Sequence, residues 1–192
     1  ALAPPLNKLA VVQTTPATGL HDRLLQTLWR AADALVDLGQ SPYTIDAALR
    51  DWGMGHPPFE LADMAGLDVV SRQARADGAQ NWSGLLLQLG RQGRAFGRGF
   101  YHHAGTDPTR DAEIEHKINE RRAPQSTLPA AQVTRLVIGA LANEGAKALR
   151  DGVVPRTAEI DVLSVFGHLV PNWRGGVMHA AANGGLLATT RA

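Results

Sequence analysis

Apolar residues recur at three- and four-residue steps along most of the chain. Between His21 and Leu38, the residues Leu24, Leu28, Ala31, Leu35 and Leu38 form one stripe. Leu25, Ala32 and Val36 widen it, while Gln26, Arg30, Asp33 and Asp37 line the opposite side. This is the period of an amphipathic helix. Gly39 follows as a C-cap candidate. Ser41-Pro42 places an N-cap residue before a proline at the first helical position, predicting a second helix that ends near Trp52-Gly53. Pro57-Pro58 opens a third, running past Leu61, Met64 and Leu67 towards Ala76. Asn81 to Leu89 reads as a short apolar helix. Asp107-Pro108 reads as another helix start, with Asp111, Glu113 and Glu115 in its N-terminal half. Pro129 starts the longest helix, to about Asp151, on the stripe Val133, Val137, Ala140, Leu141 and Ala148, and Gly152 ends it. Thr157 is expected to cap a helix carrying Ile160, Leu163 and Val165, and a last helix runs from near Trp173 to about Leu187. Leu9 to Val12 is the one short strand candidate. The chain is therefore predicted to be all-α.

The helices come in two similar runs. Arg23 to Gly39 and Arg135 to Gly152 are long helices ending in glycine, and each leads through a turn to an Ile-Asp pair, Ile45-Asp46 and Ile160-Asp161. A glycine follows each pair, Gly53 and Gly167, then a proline with an aromatic, Pro58-Phe59 and Pro171 with Trp173. A period near a hundred residues is too long for a solenoid and points to duplication of a domain. Each copy would then cover an apolar face of the other, as in an internal dimer. The expected units are residues 21–122 and 128–192, with 1–20 as a leading linker and strand remnant.

Composition narrows the function classes. The 192 residues carry a formal net charge of +1, which gives no electrostatic case for nucleic acid or an anionic membrane. There is no cysteine, so disulfides, thiolate metal sites and a cysteine nucleophile are excluded. No apolar run reaches the length of a membrane span, and no basic region followed by an apolar segment marks a signal peptide. A cytoplasmic location is expected. His102, His103, His116, His168 and His179 do not pair at helical zinc spacing, so no metal site is expected. Neither a P-loop nor a Gly-x-Ser-x-Gly elbow is present. Trp52, Trp82 and Trp173 are read as core anchors at helix corners. The chain begins at Ala1, which fits a piece of a longer protein.

Three stretches carry a resemblance. They are Asp51-Trp52-Gly53-Met54 with Pro58-Phe59-Glu60-Leu61-Ala62-Asp63-Met64-Ala65-Gly66-Leu67-Asp68-Val69; Gly90-Arg91 with Gly93, Gly97 and Gly99-Phe100-Tyr101; and Asn143-Glu144-Gly145-Ala146 with Gly152, Ile160-Asp161-Val162 and Trp173-Arg174-Gly175-Gly176. In these the chain resembles the C-terminal helical domains of 3-hydroxyacyl-CoA dehydrogenase, in the tandem form found in multifunctional proteins of fatty-acid β-oxidation. The resemblance implies two helical repeats of the 6-phosphogluconate dehydrogenase C-terminal-like kind, packed as a pseudo-dimer. It also implies a parent enzyme whose separate Rossmann domain binds NAD, whose substrate is a 3-hydroxyacyl-CoA, and whose partners include a second copy or a thiolase subunit. Lys8 to Val12 would be the last strand of that Rossmann domain, and these residues alone would not transfer hydride. The alternative is a non-catalytic helical interaction module derived from the same fold.

Site residues follow from the resemblance. Asp22 stands where the family has an active-site Asn, and an ionised Asp can accept but not donate a hydrogen bond. Asp22 and Arg23 are expected at a domain junction facing substrate, or else as an N-terminal acid and a solvated arginine. Arg91, Arg94 and Arg98 lie among glycines and are either anchors for a CoA phosphate or part of a solvated connector. Glu144 falls on an apolar stripe, where a carboxylate needs partners. It is either a catalytic acid or, preferably, a structural one bonded to the Gly-rich corner or paired with an arginine of the other repeat. Pro58, Phe59, Trp173, Gly175 and Gly176 are read as structural residues of the two corners.

Overall fold

The computed structural model describes residues 10–14, 19–72, 81–122 and 128–185. Among these, helices dominate: α1 Leu20–Asp37, α2 Pro42–Trp52, α3 Pro58–Ala65, α4 Leu67–Arg72, α5 Trp82–Gln88, α6 Ala112–Asn119, α7 Ala130–Arg150, α8 Thr157–Phe166 and α9 Val177–Asn183. Single 3-10 turns occupy Arg94–Phe96 and Asn172–Arg174. A two-residue antiparallel ladder pairs β1 Tyr101–His102 with β2 Thr109–Arg110. The all-α expectation holds apart from that ladder.

The longest two helices form the spine. Leu20, Leu24, Leu28, Leu35 and Val36 of α1 are buried, as are Val133, Val137, Leu141 and Ala148 of α7. Most of the two expected stripes lie in this seam, but Leu38 is exposed and Asp33, expected on the opposite face, is buried; the two helices pack on each other. Arg23 at the start of α1 bonds Glu144 and Asp151 near the end of α7, so the pair runs antiparallel. The contacts then cross: α2 packs on α7, and α8 packs on α1. Thr134 Oγ1 of α7 donates to the Ala48 carbonyl of α2. Each fully buried leucine or isoleucine of this spine adds about 1.5–3 kcal/mol relative to an exposed one.

Both Ile-Asp pairs do the same local work. Ile45 and Ile160 are fully buried. The Asp46 carboxylate accepts from the amides of Phe59 and Glu60 at 3.1 and 3.0 Å, at the start of α3. The Asp161 carboxylate accepts from the amides of Met178 and His179 at 2.7 and 3.2 Å, at the start of α9. In each case a carboxylate on one helix satisfies the orphan first-turn donors of the helix after the corner. This is why the chain turns back at Pro58-Phe59 and again at Gly175-Gly176. Gly176 is buried directly against Asp161, leaving no room there for a side chain.

Several local expectations are corrected. Ala10–Val12 form no strand; the segment instead leads to Thr14, whose amide donates to the Val153 carbonyl, and Lys8 and Leu9 lie outside the described residues. The helix expected from Pro58 towards Ala76 breaks at Gly66, whose φ of 93° no helix tolerates, and Ala76 lies outside the described residues. Asp107-Pro108 starts no helix: the chain pairs as β2 there, and Asp111 caps α6 by accepting from the amides of Glu113 and Ile114. Arg156, not Thr157, is the cap of α8, its amide bonded to Glu159. Ser41 sits at the N-cap of α2, but its hydroxyl bonds Glu115 instead of the helix. The last helix starts at Val177, after a 3-10 turn at Trp173, and Leu187 lies outside the described residues, as do 123–127 of the expected linker. Trp173 is no core anchor: it is 65% exposed, and only one edge of its ring lies on the other corner.

That edge-on contact joins the two corners. Arg174 Nη2 donates to the Trp52 carbonyl at 3.2 Å. Gly53 has φ 112°, and a Cβ there would sit 2.6 Å from the Trp173 ring. Gly53→Ala therefore combines left-handed strain with a collision, and an overall loss of about 2–3 kcal/mol is expected in urea denaturation. Gly90→Ala, at φ 76° with open space around it, is expected to lose only about 1 kcal/mol. Equal losses would show that the corners do not bear on each other.

Candidate functional site

The chain enters the fold at the start of α1. Gln13 Oε1 accepts from the Leu20 amide at 2.8 Å, and Gly19 is the N-cap. Asp22 lies in the first turn, exposed, with no hydrogen-bond partner among the described residues. An acid in this position is favoured by the helix dipole, and its free oxygens can accept from a ligand or a neighbouring domain.

One turn of side chain away, Arg23 points inward across the α1–α7 seam. Its Nε and Nη2 both donate to Glu144 Oε1, at 2.8 and 2.6 Å, and Nη2 also reaches Asp151 at 3.3 Å. Lys147 lies 3.7 Å from the other Glu144 oxygen. Glu144 is 9% exposed, so its place on the apolar stripe is matched by a cation from the other long helix. Asp22 and Arg23, adjacent in sequence, are thus split: one faces outward, the other is spent on a cross-helix pair. His21 packs against Gly167 at the end of α8, with its Nδ1 buried and unbonded.

The glycine-rich run lies elsewhere, folded over α3. Asp63 is buried, and its carboxylate accepts from the amides of Phe100 and Tyr101, each at 2.8 Å, and contacts His103 Nε2 at 2.8 Å. Gly93 has φ 110° and lies against the Asp63 backbone; Gly99 lies directly on the carboxylate. The glycines therefore bring backbone donors to a resident carboxylate, not to an open anion site. Arg91 is buried and paired with Asp111 at 2.7 Å and Glu113 at 2.9 Å. Burial alone would raise the Asp111 carboxyl, but the Arg91 guanidinium holds it below the usual carboxylate range. Arg91 is not available for a phosphate. Arg94 and Arg98 are exposed and carry no ion pair among the described residues.

Asp46 and Asp63 escaped the sequence reading as site residues. Asp46 is fully buried and accepts, besides the two α3 amides, the Tyr101 hydroxyl at 2.8 Å. Burial pushes the Asp46 carboxyl up to about 7, against the downward pull of these donors. Burial raises Asp63 as well. The Tyr101 hydroxyl is also raised, by burial and by Asp46 beside it. The signal for Asp46 was its recurrence in the Ile-Asp pair; Asp63 had none.

Neither a described helix long and apolar enough to cross a membrane nor a cluster able to hold a metal ion is found among the described residues.

Known proteins place this architecture. Residues 20–103 match the family model described as 3-hydroxyacyl-CoA dehydrogenase, C-terminal domain. The chain is related to that class, as the three sequence stretches indicated. The rice peroxisomal fatty acid beta-oxidation multifunctional protein is 30% identical over 161 residues, covering 75% of this chain and 22% of the relative. The guinea pig peroxisomal bifunctional enzyme is 28% identical over 96% of this chain and 29% of the relative. The fold is shared with the dehydrogenase part of multifunctional enzyme 1 from C. elegans, at a TM-score of 0.69 and 23% identity over 86% of this chain and 40% of that one. It is also shared with 3-hydroxybutyryl-CoA dehydrogenase from Escherichia coli, at a TM-score of 0.63 and 18% identity over 92% of this chain and 55% of that one. The chain spans about a quarter of the length of these curated relatives.

A titration tests the Asp46 environment. A carboxyl raised from 3.8 to about 7 favours the protonated fold, so its stabilising contribution is full below about pH 4 and is lost as pH rises through 7. Carbon NMR of the Asp46 carboxyl is expected to give a midpoint near 7, and Asp46→Asn is expected to flatten the fall in denaturation midpoint between about pH 5 and 8. A carboxyl midpoint at or below 4 would contradict this.

Proposed function

We propose that this chain is the C-terminal, substrate-closing and dimerisation portion of an NAD-dependent 3-hydroxyacyl-CoA dehydrogenase of fatty-acid β-oxidation. The observation that carries the reading is the match of residues 20–103 to the C-terminal domain of that enzyme. The parent oxidises the 3-hydroxyl of an acyl-CoA to a ketone, with NAD as acceptor.

The residues present do not fit NAD. Among the described residues there is no parallel sheet with a glycine-rich strand-to-helix turn, and the donors of the glycine-rich run are already taken by Asp63. In this proposal NAD is held by a domain outside this chain, and these residues alone are inactive in hydride transfer. What they supply is a surface. Asp22, exposed at the start of α1, faces the acyl-CoA as an acceptor where the family has Asn. Arg23 holds the seam beneath it through Glu144. Arg94 and Arg98 are proposed as secondary contacts to the CoA end of the substrate.

The tandem-repeat reading belongs to the same proposal. Residues 21–122 and 128–192 form two related units that cover each other, after a leading segment at 1–20. The matched Asp46 and Asp161 contacts and the crossing of α2 onto α7 and α8 onto α1 support it. A second copy of the chain or a thiolase subunit is the proposed partner. A cytoplasmic location completes the reading, beside curated relatives whose names are peroxisomal or glyoxysomal.

NADH formation from a 3-hydroxyacyl-CoA tests the reading. The 192 residues alone are expected to give none, whereas the full-length parent turns over and Asp22→Asn alters its kcat or KM without unfolding it. Turnover by the isolated chain, or a folded, NAD-binding parent with none, would overturn it.

A further inference from the structure

The second corner holds a cation that the dehydrogenase reading does not use. The Arg174 guanidinium lies 4.0 Å from the Trp173 ring centroid and 4.9 Å from that of Trp52. Nη2 is bonded to the Trp52 carbonyl, and Nε is buried without a hydrogen-bond partner. No carboxylate pairs with it among the described residues. An arginine held between two indoles keeps its charge, its orientation and its unused donors.

This guanidinium lines a groove of about 700 Å³ between α2, α7 and α9. The walls are mostly apolar, formed by Trp52, Ala48, Ile138 and Ala180 among others. A second cation, Arg135, also lines it, exposed and without an ion pair among the described residues. Asp51 is the one acid among the lining residues, against two arginines. The volume falls within the range of small-molecule sites. The groove opens beside the N-terminal part of α7. Arg135 and Asp151, at the end of α7 where Arg23 sits, are separated by roughly 24 Å of helix at 1.5 Å per residue.

We propose that this groove binds an amphipathic carboxylate, an apolar body ending in an anionic head. The head pairs with the Arg174 guanidinium, with Arg135 adding long-range attraction, and the apolar body lies along the apolar wall. The two arginines set the sign of the head, and the apolar walls exclude a fully polar anion. The indoles pre-orient Arg174, so little side-chain freedom is lost on binding. This proposal does not rest on the dehydrogenase reading.

Titration of the whole chain with sodium dodecanoate below its micelle concentration tests it, read by calorimetry and tryptophan emission. Saturable one-to-one binding is expected, with no response to acetate at the same concentrations and none to dodecyltrimethylammonium. Arg174→Gln is expected to weaken binding roughly ten-fold, and Arg135→Gln about three-fold, with a loss of affinity as salt rises. Should Arg174→Gln lower the melting temperature, the exposed Arg135→Gln carries the test. Equal binding of the cationic amphiphile, or unchanged affinity in Arg135→Gln and in a folded Arg174→Gln, would overturn the proposal, as would the absence of saturable dodecanoate binding.

Discussion

A carboxylate withdrawn from water must be met by donors, and two buried carboxylates, Asp46 and Asp63, with a half-buried third, Asp161, set the corners of this fold. Asp46 and Asp161 take up the first-turn amides of α3 and α9, and Asp63 takes up the amides that follow the glycine-rich run. Leaving such an acid unmet inside the protein costs several kcal/mol. The chain can bury these groups only if each corner closes in one way. The rest follows from that geometry: the return of α3 onto α1, the return of α9 onto α7, and the seating of Trp173 against Gly53.

The spine between the corners is simpler. Two apolar stripes meet along α1 and α7, and Arg23 crosses the seam to Glu144 and Asp151. This contact fixes which end of α1 meets which end of α7, because a shift along the axis would leave Glu144 buried beside leucines. Register here is set by one arginine and its carboxylates, while most of the burial comes from hydrocarbon. The outward neighbour, Asp22, is left free at the end where the chain enters.

The sequence showed what repeats along a helix and little of what closes between helices. The stripes of α1 and α7, Pro42 at the start of α2 and the turn at Gly53 stood in the pattern because each depends on near neighbours. Glu144 stands out because a charge interrupts an apolar stripe, and an arginine is among the partners such a position calls for. Asp63 does not, because its donors lie 37 and 38 positions along the chain. Asp107-Pro108 misled for a similar reason: its local chemistry opens helices, but pairing of Thr109–Arg110 with Tyr101–His102 wins. Arg91 looked like its exposed neighbours Arg94 and Arg98 until Asp111 and Glu113 were brought beside it. The exposure of Trp173 was equally invisible, since it depends on how two corners meet.

Native-state hydrogen exchange tests most directly whether these three carboxylates hold the corners. The amides of Phe59, Glu60, Phe100, Tyr101 and Met178 lie in first turns or in a loop, where exchange is ordinarily fast. If Asp46, Asp63 and Asp161 hold them, they exchange only on global unfolding, with protection equal to that of amides in the middle of α7. Exchange of these amides through local opening, while α7 stays protected, would contradict the account.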